Sequence, residues 1–190
     1  MINSLRAAIT RSLKKRPILT NTAFYASFYT AAEFSQQTIN RQLATEKPDY
    51  DYKAVARLVC VGGTVYAPTL YFWYRFLDRK FPGNATRMVV PKVLADQLVI
   101  TPILLVYFYT VNSILEGKAN IFEELQQKFL KTYLVNVMFW VPAQTINFYM
   151  VPPYLRVVYV ASSSFIWINI LCYIKRQKIA DDGQKTIKTK

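Results

Sequence analysis

The chain has 190 residues, 53% of them hydrophobic, with 24 Lys and Arg against 11 Asp and Glu and a net charge of +13. It has no histidine, which removes Ser-His-Asp catalysis, His-based zinc sites and His-ligated haem together. Long apolar runs, with only 5 glycines and 9 prolines, exclude disorder over most of the chain, and the length fits one domain over residues 1–190. So basic a chain suits nucleic acid or a membrane surface. Here the charges cluster between apolar runs and at the ends, which favours the lipid bilayer and leaves no direct nucleic-acid partner expected. The 14 Tyr and 12 Phe fit that class, because membrane proteins concentrate aromatics at their water interfaces.

Residues 1–16 set Ile2, Leu5, Ile9 and Leu13 at helical spacing among Arg6, Arg11, Lys14, Lys15 and Arg16. A basic amphipathic helix of this kind lies on anionic lipid or serves as a mitochondrial address. Pro17 then suits the first turn of a new helix. Five apolar segments follow, over 18–39, 54–77, 93–115, 133–151 and 155–174, each close to the ~20 residues that a helix needs to cross the hydrocarbon core. A basic tail, 175–190, closes the chain. Cys60 and Cys172 lie inside apolar runs and read as small packing residues, not as a disulfide or a metal pair.

The charges constrain topology. Five basic residues precede the first segment, five lie between Arg75 and Lys92, and six follow Ile174. The loops 41–57 and 116–131 balance seven bases with six acids. The positive-inside bias therefore places both termini and the second loop on one side, which requires an even number of crossings. The simplest solution has four spans, with the fourth segment broken at Trp140–Pro142 and half-inserted. Non-helical backbone at membrane depth survives only where it is buried in protein or faces water. Five full crossings, with the tail on the opposite side, are the alternative.

Ala23, Ser27, Ala31 and Ser35 make a small-residue face on the first segment, and Gly63 with Ala67 repeats it on the second. Both read as helix-packing surfaces. Tyr66, Tyr71, Trp73 and Tyr74 read as interface anchors, with Arg75, Asp78 and Arg79 marking the lipid boundary.

Ionisable residues inside apolar segments are expensive and usually functional. Asp96 stands in the third segment beside Gln97, with Pro102 beyond it. Glu33 belongs to a polar stripe of Thr30, Gln36, Gln37 and Asn40 on the first segment, and Arg156 opens the last. Asn136, Trp140, Gln144 and Asn147 share one face of the fourth. Two readings stay open. The polar groups line a conduit and set its selectivity, or Arg156 neutralises Asp96 or Glu33 while the amides satisfy backbone near the prolines.

The stretch Trp140-Val-Pro142-Ala143-Gln144-Thr-Ile-Asn147-Phe148-Tyr-Met-Val151-Pro152, followed by Arg156, resembles the signature of the Mpv-seventeen/peroxisomal membrane protein family. Asp96-Gln97 with Pro102, Pro68 with Trp73-Tyr74 and Leu77-Asp78, and Trp167-Ile-Asn-Ile-Leu171 resemble three further blocks, in the family's order. The chain departs from the pattern at Ala32-Glu33, Ala67, Tyr71 and Cys172, where the family has Gly-Asp, Gly, His and Ser. A role that needs the histidine to titrate is absent here. The resemblance implies an integral protein of the mitochondrial inner membrane or the peroxisomal membrane, drawn with four spans and described as a weakly selective channel for small solutes. The basic amphipathic start favours mitochondria.

The sequence thus predicts an all-α integral membrane helix bundle of four spans, with a proline-broken half-inserted segment and an N-terminal amphipathic helix. The expected function is a channel for small-molecule solutes in the mitochondrial inner membrane. Glu33, Asp96 and Arg156 set charge and gating, Gln97, Gln144 and Asn147 line the path, and Pro102, Pro142 and Pro152 shape the helices. A non-transporting membrane scaffold is the alternative. No nucleophile motif, P-loop, dinucleotide fingerprint or metal spacing occurs, so neither enzymatic activity, a cofactor nor a bound metal is expected. Monomer and homo-oligomer stay open.

Overall fold

The computed structural model describes residues 2–44 and 48–170. The expected tail, 175–190, and Cys172 lie outside the described residues, as does the end of the fifth segment. Six helices account for the rest: α1 (Ile2–Lys15), α2 (Pro17–Leu43), α3 (Tyr52–Lys80), α4 (Thr86–Leu115), α5 (Glu123–Met150) and α6 (residues 156–170). The fold is an all-α membrane helix bundle.

Local sequence sets the boundaries. Pro17 opens α2, where its missing N–H is no loss. The Asp51 carboxylate caps α3 by accepting from the Ala54 N–H at 2.9 Å. Gly117, at φ +68°, ends α4: its N–H reaches the Ile114 carbonyl and the Lys118 N–H reaches that of Ser113. Val151 turns extended before Pro152 and stops α5.

The fourth segment corrects the expectation. It is not broken at Trp140–Pro142: α5 runs unbroken for 28 residues, about 42 Å, through Pro142. Proline deprives the Met138 carbonyl of its intrahelical donor. The turns on either side are nevertheless held, since Trp140 and Gln144 are both buried in the bundle. Pro152, not Pro142, ends the helix.

Five long helices therefore alternate in direction. Lys14 of α1 lies over the Tyr154 ring, which places the start of α2 beside the α5–α6 turn. At the far end Gln36 of α2 donates to the Ile168 carbonyl at 2.7 Å, and Ser35 donates to Asn169 at 3.1 Å. Residue 170 is thus delivered to the end opposite Pro17, so the described bundle packs five rods where the sequence suggests four and a half-inserted segment. The charge bias had relied on the tail, whereas the described helices alternate by direct packing.

Two helices, Tyr52–Lys80 and Thr86–Leu115, are long and apolar enough to cross a membrane. The surface is inverted relative to a water-soluble bundle. Leu94, Leu98, Ile103, Leu134 and Met138 face outward, while Lys92, Asp96, Gln97, Gln144, Asn147 and Arg156 are buried. Apolar side chains toward lipid and polar ones inward is the pattern that a bilayer selects.

The small-residue faces divide. Gly62, Gly63 and Ala67 are buried against α2, and a Cβ on Gly62 would stand 2.8 Å from the Tyr29 ring. Ala23, Ser27 and Ala31 instead face outward, because α2 packs through Asn21, Tyr25, Tyr29, Ala32 and Gln36. Cys60 is likewise exposed and is not a packing residue.

Two π turns interrupt the α pattern, Gly62–Tyr66 in α3 and Asp96–Ile100 in α4. Each ends two residues before a proline, Pro68 or Pro102. A proline ring clashes with the carbonyl four residues earlier in a regular helix, and the wider turn relieves that clash. In α4 the extra residue also turns the adjacent Asp96 and Gln97 inward together, at 2% and 4% exposure.

Candidate functional site

The buried polar groups form two adjoining clusters along the bundle interior. At the end shared by the α3–α4 loop and the α5–α6 turn, Asp78 receives both Lys92, at 2.7 Å, and Arg156. Lys92 also donates to the Gly83 carbonyl at 2.9 Å, where the loop turns through φ +87°. Arg156 donates from Nε to the Val151 carbonyl at 3.2 Å and from its terminal nitrogen to that of Phe148 at 3.4 Å. The guanidinium thus completes the C-terminal end of α5, where helix carbonyls lack partners and favour a cation.

Deeper in, Asp96 accepts three hydrogen bonds: from Trp73 Nε1 at 3.2 Å, from Gln97 Nε2 at 3.2 Å and from Gln144 Nε2 at 3.0 Å. Gln144 Nε2 also reaches the Tyr74 hydroxyl at 2.7 Å, and its Oε1 accepts from Asn147 Nδ2 at 2.8 Å. Tyr133 donates to the Gln97 carbonyl at 3.1 Å, and toward the other end the Tyr109 and Thr132 hydroxyls meet at 2.7 Å. The side-chain oxygens of Gln97, Asn136 and Asn147 are buried and have no hydrogen-bond partner among the described residues. A buried polar atom left unpaired is costly, and interiors normally satisfy it with protein or water.

Phe148 separates the two clusters. It is fully buried, packs edge-on against Tyr74 at 5.4 Å between ring centres, and receives the Arg156 and Lys92 cations on its ring at 5.2 and 5.8 Å. Outside it, an open cleft of ≈ 640 Å³ is bounded by Arg75, Asp78, Arg79, the Pro82–Asn84 loop, the end of α5 and Arg156.

Of the expected residues, Asp96, Gln97, Gln144 and Asn147 come together in one network. Arg156 joins the neighbouring cluster, pairing with Asp78 and with neither Asp96 nor Glu33. Glu33 stands apart: it is half-buried near the other end of α2 and bonds Gln37, which braces the Asp51 backbone. Pro102 follows the π turn that presents Asp96, Pro142 sits inside α5, and Pro152 ends that helix.

Sequence reasoning missed Asp78, Lys92, Trp73, Tyr74 and Phe148. Trp73, Tyr74 and Asp78 read as markers of the lipid interface, but Tyr74 and Leu77 lie on the buried face of α3, and Asp78 continues it. The signal was periodic: Val89, Lys92, Val93 and Asp96 repeat at helical steps along one face.

Residues 113–172 match the family model described as the Mpv17 / PMP22 family, a stretch that contains Trp140 to Arg156. The Mpv17-like protein of Xenopus laevis is 40% identical over 166 residues, covering 87% of this chain and 80% of that protein. The chain belongs to the Mpv17 / PMP22 family. PXMP2/4 family protein 2 of Dictyostelium discoideum is 30% identical over 170 residues, 87% of this chain and 88% of that one. The mitochondrial inner membrane protein Mpv17 of Caenorhabditis briggsae is 25% identical over 183 residues, 95% of this chain and 98% of that one. No solved structure matches the chain. The network around Asp96 and the ionic cluster on Asp78 are thus built largely from the blocks by which the chain resembles the Mpv17 family.

Proposed function

We propose that the chain is a channel for small metabolites in the mitochondrial inner membrane, held closed at Phe148. The observation that carries this reading is the column of buried polar side chains that runs inward from the cleft, with amide oxygens of Gln97, Asn136 and Asn147 unpaired among the described residues. Groups of this kind favour water or a polar solute, and a tight apolar bundle has no use for them. Phe148 and the Asp78–Arg156 pair form the seal. The family relatives named for the mitochondrial inner membrane support the location, and the PXMP2/4 names fit the peroxisomal membrane as the alternative. The test is efflux of a small radiolabelled polyol from liposomes carrying the purified chain. Size-limited release above protein-free liposomes is expected, and retention equal to that of empty liposomes from a correctly folded preparation contradicts the reading.

A second reading, a non-transporting scaffold, is favoured by the ion pairs that tie both Lys92 and Arg156 to Asp78 and by the closed packing around Phe148. It expects no efflux and a stable protein partner.

A further inference from the structure

The cleft outside Phe148 has a charge arrangement that the conduit alone does not explain. Its volume, ≈ 640 Å³, lies in the range of small-molecule sites. Arg156, at 4% exposure, and Asp78 line the cleft, and Lys92, at 0% exposure and behind that lining, shares the Asp78 carboxylate with Arg156. Two cations on one acid leave an excess positive charge in a poorly hydrated place, which is expensive unless an anion completes it. Arg75 and Arg79 stand exposed on the rim and raise the excess. Arg79 makes no ion pair among the described residues. The opposite wall, Tyr149 with Pro152 and Pro153, is largely apolar.

We propose that this cleft binds a phosphate ester. Guanidinium groups present paired donors that match phosphate oxygens, and here one is buried and two are peripheral. The phosphate sits toward Arg156 with Arg79 closing over it, and the apolar wall takes the organic part. Asp78 competes for the same cations and so sets the affinity. A soluble phosphorylated metabolite and a phospholipid headgroup share this chemistry. As an entrance for transported solute the site rests on the channel reading; as a binding site it stands without it.

The test uses the purified full-length chain in dodecyl maltoside at fixed ionic strength. Glycerol 3-phosphate is titrated by calorimetry, with glycerol as the control and phosphatidylglycerol in a separate arm. Saturable binding of glycerol 3-phosphate but not of glycerol is expected. Arg79→Gln, at an exposed position that leaves folding intact, is expected to weaken it about fivefold, and Arg75→Gln with Arg79→Gln further. Binding of phosphatidylglycerol alone, with the same sensitivity to Arg79→Gln, supports the site and assigns the phosphate to lipid. Absence of both, or binding that ignores both substitutions, overturns the proposal. Binding by a chain that releases no solute keeps this site and removes the channel, and efflux without binding does the reverse.

Discussion

Arg156 and Asp78 are 78 positions apart in the chain and form a direct ion pair, tying the start of α6 to the end of α3. Lys92 of α4 joins the same carboxylate at 2.7 Å, so one acid holds three helices. Removing the acid leaves two buried cations without a partner. Asp78→Asn is expected to cost about 3 kcal/mol, seen as a lower thermal midpoint in detergent. Adding Lys92→Met should restore part of the loss, because it removes one orphaned charge. An unchanged midpoint in the single variant would show that the cluster is not structural.

The two adjacent glycines of α3 separate close approach from mere burial. Gly62→Ala places a methyl 2.8 Å from the Tyr29 ring, and that ring is itself buried in the core. The expected cost is about 1–3 kcal/mol from overpacking. At Gly63 the nearest atom, on Thr22, is 3.6 Å away, an ordinary contact. Gly63→Ala is expected to be neutral or slightly stabilising, since alanine is the better helix former. Equal thermal midpoints for the two variants would contradict the packing of α2 on α3.

Much of this architecture is legible in the sequence. The apolar segments, the shared face of Asn136, Trp140, Gln144 and Asn147, and the inward placement of Asp96 and Gln97 follow from helical periodicity and the cost of charge in lipid. The count of rods does not. Pro142 looks like a break because proline usually is one, yet the bundle holds the turns on both sides. Asp78 and Lys92 escape for a different reason: Asp78, near a segment end, reads as the lipid boundary and Lys92 as a loop charge, and only the packed bundle brings them together with Arg156. Ala23, Ser27 and Ala31 carry the spacing of a packing face, but the bulkier Tyr25 and Tyr29 occupy the interface instead.

Gln144 is the branch point of the inner network, donating to Tyr74 and Asp96 and accepting from Asn147. Gln144→Leu leaves buried polar partners unmet and is expected to cost about 2–3 kcal/mol by thermal unfolding. Thr145→Val, one residue on and exposed, serves as the control and should stay within about 0.5 kcal/mol. Comparable losses in both would mean that the network contributes little.

The end of α5 that precedes its apolar stretch supplies a pH dependence. Burial raises the Glu124 carboxyl, but hydrogen bonds from Lys118 and Lys128 outweigh it and hold the pKa down to about 2. A depressed folded-state pKa adds stability that is present above the unfolded value of 4.5 and lost as pH falls toward 2. The thermal midpoint should therefore drop through that window on this account, and Glu124→Gln should lower it at neutral pH while flattening that part of the profile. A variant with the same acid profile as the parent would contradict the assignment.

The central claim is that Phe148 closes a polar path, and single-channel recording in a planar bilayer addresses it most directly. Phe148→Ala is compared with the parent chain, with folding of both checked by circular dichroism. Discrete openings are expected in the parent and a higher open fraction in Phe148→Ala, with Asp96→Asn altering the conductance or its voltage dependence. Silence from both folded proteins would contradict it and leave the buried charges as structural pairs.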